Sequence, residues 1–217
     1  MNKTRVLLAE DHTIVRKGLV SILDNEFGME VIGEAEDGRE AVKKAEALNP
    51  DIVVMDISMP KLNGLDATRQ IKKNFPEVKV IILTMHMDDE YVFEVLHAGA
   101  SGYIIKQAAP TELITAIHSV VKGDIYLSPK ISKTVIQEFL KQSVSGKTNA
   151  EPQLSERERE IVQLIAEGHP NREIGELLHI SIKTVESHRS KIMDKLDLHS
   201  TADITRYAVR KGIISAD

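Results

Sequence analysis

The amino-acid sequence predicts a two-part protein: a doubly wound α/β domain with a five-stranded parallel sheet, followed by an all-α unit of four helices. Three features predict this architecture. Between residues 4 and 122, short apolar runs alternate with helical patterns five times, as in parallel sheets that helices cover on both faces. Residues 143–153 (SVSGKTNAEPQ) have the composition of a flexible linker. After this linker, helical periodicity continues without any strand pattern.

Five strand–helix units make up the predicted α/β domain, residues 1–122. The strands are RVLLAE, EVIGEAE, DIVVMD, VKVIILT and ASGYIIK, and the helices are residues 13–26, 38–48, 64–74, 88–98 and 110–122. The third strand is the clearest, because the uninterrupted apolar run at residues 52–55 is typical of a strand buried on both faces. Residues 123–153 form the predicted connection, with a further helix near residues 130–141.

Four helices are predicted within residues 154–217. The first begins with the capping box S-x-x-E at Ser155 and Glu158, in which each residue satisfies a backbone N–H of the other. Asn171, Ser181 and Ser200 are the predicted N-caps of the second, third and fourth helices. Because only a few residues separate the second helix from the third, the pair forms a helix-turn-helix pattern, although the glycine often found in the turn is missing.

Composition and charge exclude several classes of protein. The 217-residue chain contains no cysteine, which excludes disulfides, thiolate catalysis and Cys-ligated zinc. It has neither a run of eighteen apolar residues nor a signal-peptide pattern, so we expect a cytoplasmic protein without a membrane partner. The net charge is −5, but residues 141–217 carry 12 Lys and Arg against 12 Asp and Glu. Nucleic-acid binding by this part must therefore depend on a local basic patch.

Polar side chains end four of the five predicted strands: Glu10 and Asp11 end the first, Asp56 the third, Thr84 the fourth and Lys106 the fifth. In a doubly wound sheet these ends converge on one crevice. Three adjacent carboxylates repel one another unless a cation lies among them, and an all-oxygen site suits Mg²⁺. The carboxylate of Asp56 could then attack a phosphoryl donor, with Thr84 and Lys106 holding the transferred oxygens.

Residues 1–122 resemble a response-regulator receiver domain, which has the flavodoxin-like fold. The resemblance is carried by these strand-end residues together with Met59-Pro60, Gly64 and Tyr103. It implies that Asp56 is the phosphoacceptor for a sensor histidine kinase. It also implies that the Mg²⁺ ligands are Glu10, Asp11, Asp56 and the backbone carbonyl of Ser58, and that Thr84 and Tyr103 are the switch pair.

The sequence departs from the receiver pattern at two positions. Gln107 follows Lys106 where the family often has a proline, so we expect no slow prolyl isomerisation at this joint. Met85 follows Thr84 where many receivers have a small residue. A bulky residue here is expected to slow small-molecule phosphodonors or hydrolysis of the acyl phosphate.

The third helix of the second part, residues 182–196, is amphipathic. Its predicted apolar side is Ile182, Val185, Ile192, Met193 and Leu196, and its predicted outer side is Lys183, Ser187, Ser190, Lys191 and Asp194, with Thr184 and Glu186 at the edges. A helix with Lys, Ser and Thr on its outer side can lie in a major groove. The candidate DNA contacts are Lys183, Thr184, Glu186, Ser187, His188, Ser190 and Lys191. His188 and Arg189 fall outside the outer face, which favours structural roles or contacts to phosphate for both.

Residues 154–213 are similar to the four-helix DNA-binding domain of the LuxR/NarL-type regulators, and the combination with a receiver points to the NarL/FixJ subfamily. The resemblance implies a transcription regulator that dimerises on phosphorylation and binds an inverted repeat in double-stranded DNA. It further implies that helix 201–211 is a dimer contact and that the unphosphorylated receiver covers the recognition helix. RNA polymerase is a further possible partner.

Three alternative functions compete with this interpretation, and the sequence disfavours each of them. A phosphatase of the haloacid-dehalogenase type also uses an aspartate at a strand end, but it requires D-x-D, and residue 58 is Ser. A nucleotide-binding enzyme would carry G-x-G-x-x-G or a P-loop, and neither occurs. An atypical regulator would bind DNA without phosphorylation, and incubation with a phosphodonor distinguishes this case.

Overall fold

The computed structural model describes residues 3–85, 89–107, 110–129, 131–132 and 154–214. The chain divides into two compact units, Met1–Lys147 and Thr148–Asp217. Ile131 and Ser132 are helical, whereas the rest of the helix predicted near residues 130–141 lies outside the described residues. None of the described helices is long and apolar enough to cross a membrane.

The first unit contains a parallel sheet of the strands β1 (Thr4–Ala9), β2 (Met29–Ala35), β3 (Ile52–Asp56), β4 (Lys79–Thr84), β5 (Gly102–Ile105) and β6 (Tyr126–Leu127). The strand order in the sheet is β2-β1-β3-β4-β5-β6. Its helices are α1 (Thr13–Asp24), α2 (Gly38–Leu48), α3 (Gly64–Asn74), α4 (Asp89–His97) and α5 (Pro110–Val121). The doubly wound prediction is confirmed, with one additional strand, β6. Its two residues are too few to show a strand pattern in the sequence.

Helices cover both faces of the sheet, so residues of β3 alternate between two cores. Val53 and Met55 pack in the core formed with α2, α3 and α4. Ile52 and Val54 pack in the core formed with α1 and α5. The strand order reverses between β1 and β3, so the crevice of this sheet opens at the carboxyl ends of these two strands.

The second unit has four helices: α6 (Glu156–Ala166), α7 (Asn171–Leu178), α8 (Ile182–Leu196) and α9 (Thr201–Arg210). Their core includes Ile161, Ile174, Val185, Ile192 and Ile204. The capping box at Ser155 and the N-caps Ser181 and Ser200 are confirmed, because each serine accepts a hydrogen bond from a backbone N–H in the first turn.

The predicted N-cap Asn171 is wrong. Asn171 is the first residue of α7, and Pro170 is the N-cap, with φ −70° and ψ 155°. A proline ring fixes φ near this value, so Pro170 supplies the extended conformation of an N-cap without a capping side chain. The helix therefore begins one residue earlier than the Asn171 cap predicts.

The turn between α7 and α8 explains how this helix-turn-helix manages without a turn glycine. His179 takes the left-handed conformation, with φ 54°, that glycine often supplies at the end of a helix. A glycine is required one turn earlier, because a Cβ on Gly175 would lie 2.8 Å from the carbonyl oxygen of Ile180.

Candidate functional site: an acidic crevice and an exposed helix

An acidic cluster lies at the carboxyl edge of the sheet. Ligand atoms of Glu10, Asp11, His12 and Asp56 all lie within 4.8 Å of one another. Asp56 is the last residue of β3 and is 3% exposed, while Glu10 directly follows β1 and is 1% exposed. The parallel topology thus brings together the three carboxylates predicted from the strand ends.

Lys106 enters the same cluster from the end of β5. Its Nζ lies 2.7 Å from Glu10 Oε2 and 2.8 Å from Asp56 Oδ2. Burial alone would lower the pKa of this ammonium, but the carboxylates of Asp56 and Glu10 outweigh burial and raise the pKa of Lys106. Burial, reinforced by the negative charge of Glu10, raises the pKa of Asp56 to about 6, although Lys106 opposes this shift.

The donor set of the cluster fits a divalent cation. Three buried oxygens, Glu10 Oε2, Asp11 Oδ1 and Asp56 Oδ2, have ion pairs with Lys106 or His12 but accept no other hydrogen bond from the part of the chain that the structure describes. Buried polar atoms are normally satisfied, and hard oxygen ligands are those that Mg²⁺ prefers. A bound cation would satisfy these oxygens and stabilise the charged form of Asp56.

The loop after Asp56 is held tightly against the end of β3. The backbone N–H groups of Met59 and Gly64 both donate to the carbonyl of Ile57, at 3.0 and 2.8 Å. A Cβ on Gly64 would lie 1.9 Å from the carbonyl oxygen of Asp56, so only glycine fits at this start of α3. Ser58 is half-buried in the same loop.

The two predicted switch residues are both buried. Thr84 ends β4 and is 0% exposed, and its carbonyl accepts a hydrogen bond from the N–H of Lys106 at 2.7 Å. Tyr103 is 0% exposed and packs with Val92, Val95 and Ile131 in the core on the α2–α4 side. The Tyr103 ring therefore already has a buried position in this structure. Met85, which follows Thr84, is 55% exposed.

Arg16 and His12 are further residues of this region that the strand-end pattern does not identify. His12 Nδ1 lies 2.8 Å from Asp11 Oδ1, and Asp11 raises the pKa of His12. Arg16 is 4% exposed and donates to the carbonyl of Glu10 at 2.6 Å. One signal for Arg16 exists in the sequence. Arg16 precedes Leu19, Val20 and Leu23 by three, four and seven residues, which places it on the stripe of α1 that faces the core.

The second candidate site is the exposed side of α8. Lys183, Thr184, Glu186, Ser187, Ser190 and Lys191 are exposed, whereas His188 and Arg189 are half-buried. Arg189 donates to the hydroxyl of Thr201 at the start of α9, which is a structural role. The predicted apolar position Ile182 is wrong, because it is 48% exposed. Ile182 is the first residue of α8, where the helix projects past the core that buries Val185 one turn later.

Charge on the second unit is distributed unevenly. Several of its basic residues pair with acids: Arg157 with Glu160, Arg172 with Glu176, Lys195 with Glu158 and Arg206 with Asp203. Neither Lys183 nor Lys191 has an ion pair with any residue that the structure describes. A part of the chain that is neutral overall thus presents two lysines without ion pairs on α8, in the company of the exposed carboxylates of Glu186 and Asp194.

Comparison with known proteins assigns the class. Residues 6–118 match the response regulator receiver domain, and residues 152–208 match the bacterial regulatory proteins of the luxR family. The chain therefore belongs to the response regulators with a LuxR-type helix-turn-helix domain. This family consists of transcription regulators rather than enzymes.

The individual relatives cover either nearly the whole chain or its receiver domain. It is 42% identical to the oxygen regulatory protein NreC of Staphylococcus carnosus (strain TM300) over 214 residues, which are 97% of this chain and 99% of the relative. It is similar to the isolated receiver domain of RcsB from Salmonella enterica serovar Typhimurium with the phosphomimetic BeF3⁻ (30% identity, TM-score 0.57, 61% of this chain and 99% of that chain). It is also similar to RcsB in two dimers bound to two parallel DNAs (29% identity, TM-score 0.59, 95% of this chain and 98% of that chain).

Proposed function

We propose that this protein is a transcription regulator that is activated when Asp56 accepts a phosphoryl group from a sensor histidine kinase. The observation that carries the proposal is the Asp56 carboxylate, buried at the sheet edge beside Glu10 and Asp11 and 2.8 Å from Lys106 Nζ. A carboxylate nucleophile needs a cation-rich site, because the incoming phosphoryl group is itself negative. We propose a cytoplasmic location, because the chain has to reach both the kinase and the DNA.

Each residue of the cluster has a proposed part in the transfer. Glu10, Asp11, Asp56 and the backbone carbonyl of Ser58 would hold Mg²⁺, which offsets the charge of the phosphoryl oxygens. A carboxylate oxygen of Asp56 attacks the phosphorus of the kinase phosphohistidine, and the imidazole nitrogen leaves. The ammonium of Lys106 moves from its ion pair with Glu10 to a phosphoryl oxygen, and the Thr84 hydroxyl binds another.

Thr84 and Tyr103 would convert phosphorylation into a change of surface. Because Tyr103 is fully buried in this structure, phosphate need not create the inward position of the ring. We infer instead that the Thr84–phosphate contact stabilises an arrangement that the ring already reaches, which is a shift in population. The surface over β4 and β5, which the helices that cover these strands form, would then favour a second copy of the chain.

The DNA-binding part of the proposal uses the exposed side of α8. Lys183 and Lys191 would contact phosphates or guanine, while Ser187 and Ser190 allow close approach to base edges. Thr184, Glu186 and His188 would contribute at the margins. A phosphorylated homodimer, in which α9 is a contact, would read an inverted repeat with half-sites about 10 bp apart. Such a dimer at a promoter would act through RNA polymerase.

Phosphorylation with acetyl phosphate and Mg²⁺ tests the proposal. We expect the wild-type chain to become phosphorylated and to shift from monomer to dimer in light scattering. Asp56→Asn should remain unphosphorylated. Asp51→Asn is the matched control, since Asp51 is exposed just before β3, and it should be phosphorylated like wild type. Stable labelling of Asp56→Asn at another residue would refute the assignment.

A further inference from the structure

A buried arginine links the acidic crevice to the second strand. Arg16 lies on α1, and its side chain is 5% exposed. A buried guanidinium must be paired to offset the loss of hydration. Its Nε donates to Glu34 Oε2 at 3.1 Å, and its Nη2 donates to Glu36 Oε1 at 2.6 Å. Both carboxylates lie at or just beyond the carboxyl end of β2.

The third nitrogen of the same guanidinium binds the backbone of the crevice. Nη1 donates to the carbonyl of Glu10 at 2.6 Å and lies 3.4 Å from the carbonyl of Asp11. The guanidinium is planar and presents its donors in a rigid fork. Arg16 therefore ties the backbone of the two acidic residues after β1 to the end of β2.

Arg16 and Lys106 act on the cluster in different ways. Lys106 contacts carboxylate oxygens of Glu10 and Asp56, so it occupies atoms that a metal ion would need. Arg16 contacts only carbonyls of Glu10 and Asp11, and its charge is offset by Glu34 and Glu36. It can hold the loop without competing for the carboxylate oxygens.

We propose that Arg16 is a positioning residue for the Mg²⁺ site: its fork holds the Glu10–Asp11 backbone so that both carboxylates stay beside Asp56 despite their mutual repulsion. The inference rests on the proposed function, in which this cluster binds Mg²⁺. Partners that orient metal ligands typically change metal affinity by about 10- to 100-fold when they are removed. Arg16→Lys keeps the charge but loses the fork.

Mg²⁺ titration calorimetry on the full chain is the main test. Arg16→Lys should weaken the Mg²⁺ dissociation constant by about tenfold or more. Arg5→Lys is the matched control, because Arg5 also forks onto two backbone carbonyls, those of Asn49 and Leu48 at 2.8 and 2.6 Å. Those carbonyls lie just before β3, at the opposite edge of the sheet, so Arg5→Lys should bind Mg²⁺ like wild type.

Phosphorylation by acetyl phosphate gives a second readout. For Arg16→Lys, the Mg²⁺ concentration for half-maximal rate should rise, while the rate at saturating Mg²⁺ should return to the wild-type value. A general loss of structure would lower the saturated rate as well. Circular dichroism checks folding. If Arg16→Lys does not fold, Glu36→Gln provides the test instead. Glu36 is an exposed ion-pair partner of the same guanidinium, so this substitution should weaken Mg²⁺ binding by about twofold.

The outcomes separate the inference from the function on which it rests. A wild-type chain that neither binds Mg²⁺ nor accepts phosphate overturns the proposed function. The role of Arg16 is overturned if the wild-type chain binds Mg²⁺ and Arg16→Lys binds it as tightly as Arg5→Lys does. If Arg16→Lys does not fold, an unchanged Mg²⁺ affinity of Glu36→Gln also overturns the role of Arg16.

Discussion

Replacing Gly64 with alanine should damage both the stability of the first unit and the position of Asp56. The added Cβ would lie 1.9 Å from the Asp56 carbonyl oxygen, whereas real Cβ atoms stay beyond 3.0 Å. The start of α3 and the end of β3 must therefore separate by about 1 Å. Overpacking of this kind costs about 1–3 kcal/mol, and a misplacement of about 1 Å can cost about 100-fold in rate.

Gly18→Ala is the matched control, with the opposite sign. Gly18 lies exposed within α1, and a Cβ there has nothing within 4 Å. Alanine in a helix interior is more stable than glycine by about 0.5–1 kcal/mol. We therefore expect Gly64→Ala to unfold at lower urea than wild type, and Gly18→Ala to unfold at slightly higher urea.

Urea unfolding with hydrogen exchange at β3 measures the first effect, and the initial rate of phosphorylation by acetyl phosphate measures the second. Hydrogen exchange is needed because the chain has two units, and a single global signal would mix their transitions. The reasoning is refuted if Gly64→Ala shows wild-type protection of β3 and a wild-type rate of phosphorylation.

Three further predictions concern the switch, the DNA contacts and the second unit. Thr84→Ala should accept phosphate but lose the increase in DNA binding that follows; retention of the full increase in a mobility-shift assay would contradict the switch. Lys183→Ala should weaken binding to all DNA sequences and flatten the dependence of log binding constant on log salt concentration by about one unit, whereas Ser187 or Ser190 substitutions should alter sequence preference. Titrations over a salt series with two unrelated DNA sites separate these effects. Ser155→Ala removes one half of a capping box and should destabilise the second unit by about 1 kcal/mol. Hydrogen exchange in α6 at increasing urea should then show a lower midpoint, and an unchanged midpoint would show that the cap contributes nothing.

The sequence by itself determined the parallel sheet and the location of its acidic site. Apolar runs such as residues 52–55 identify strands buried on both faces, and strands that alternate with helices must run parallel. Parallel strands place their carboxyl ends at one edge, so Glu10, Asp56 and Lys106 had to meet there. The helix-turn-helix was equally visible, because serine caps and helical spacing are local signals.

Only the tertiary structure decided how side chains are used within that frame. Periodicity assigns a residue to a helix face but does not say what the face contacts. Arg16 shares the apolar stripe of α1 and forks onto the Glu10 carbonyl, whereas Ile182 continues the apolar pattern of α8 and is exposed. The short strand β6 depends on its pairing with β5. The N-cap at Pro170 and the left-handed turn at His179 are local conformations that the helical pattern does not specify. Contacts between residues distant in sequence decide the partners of Arg16, the exposure of Ile182 and the presence of β6, so local pattern alone does not predict them.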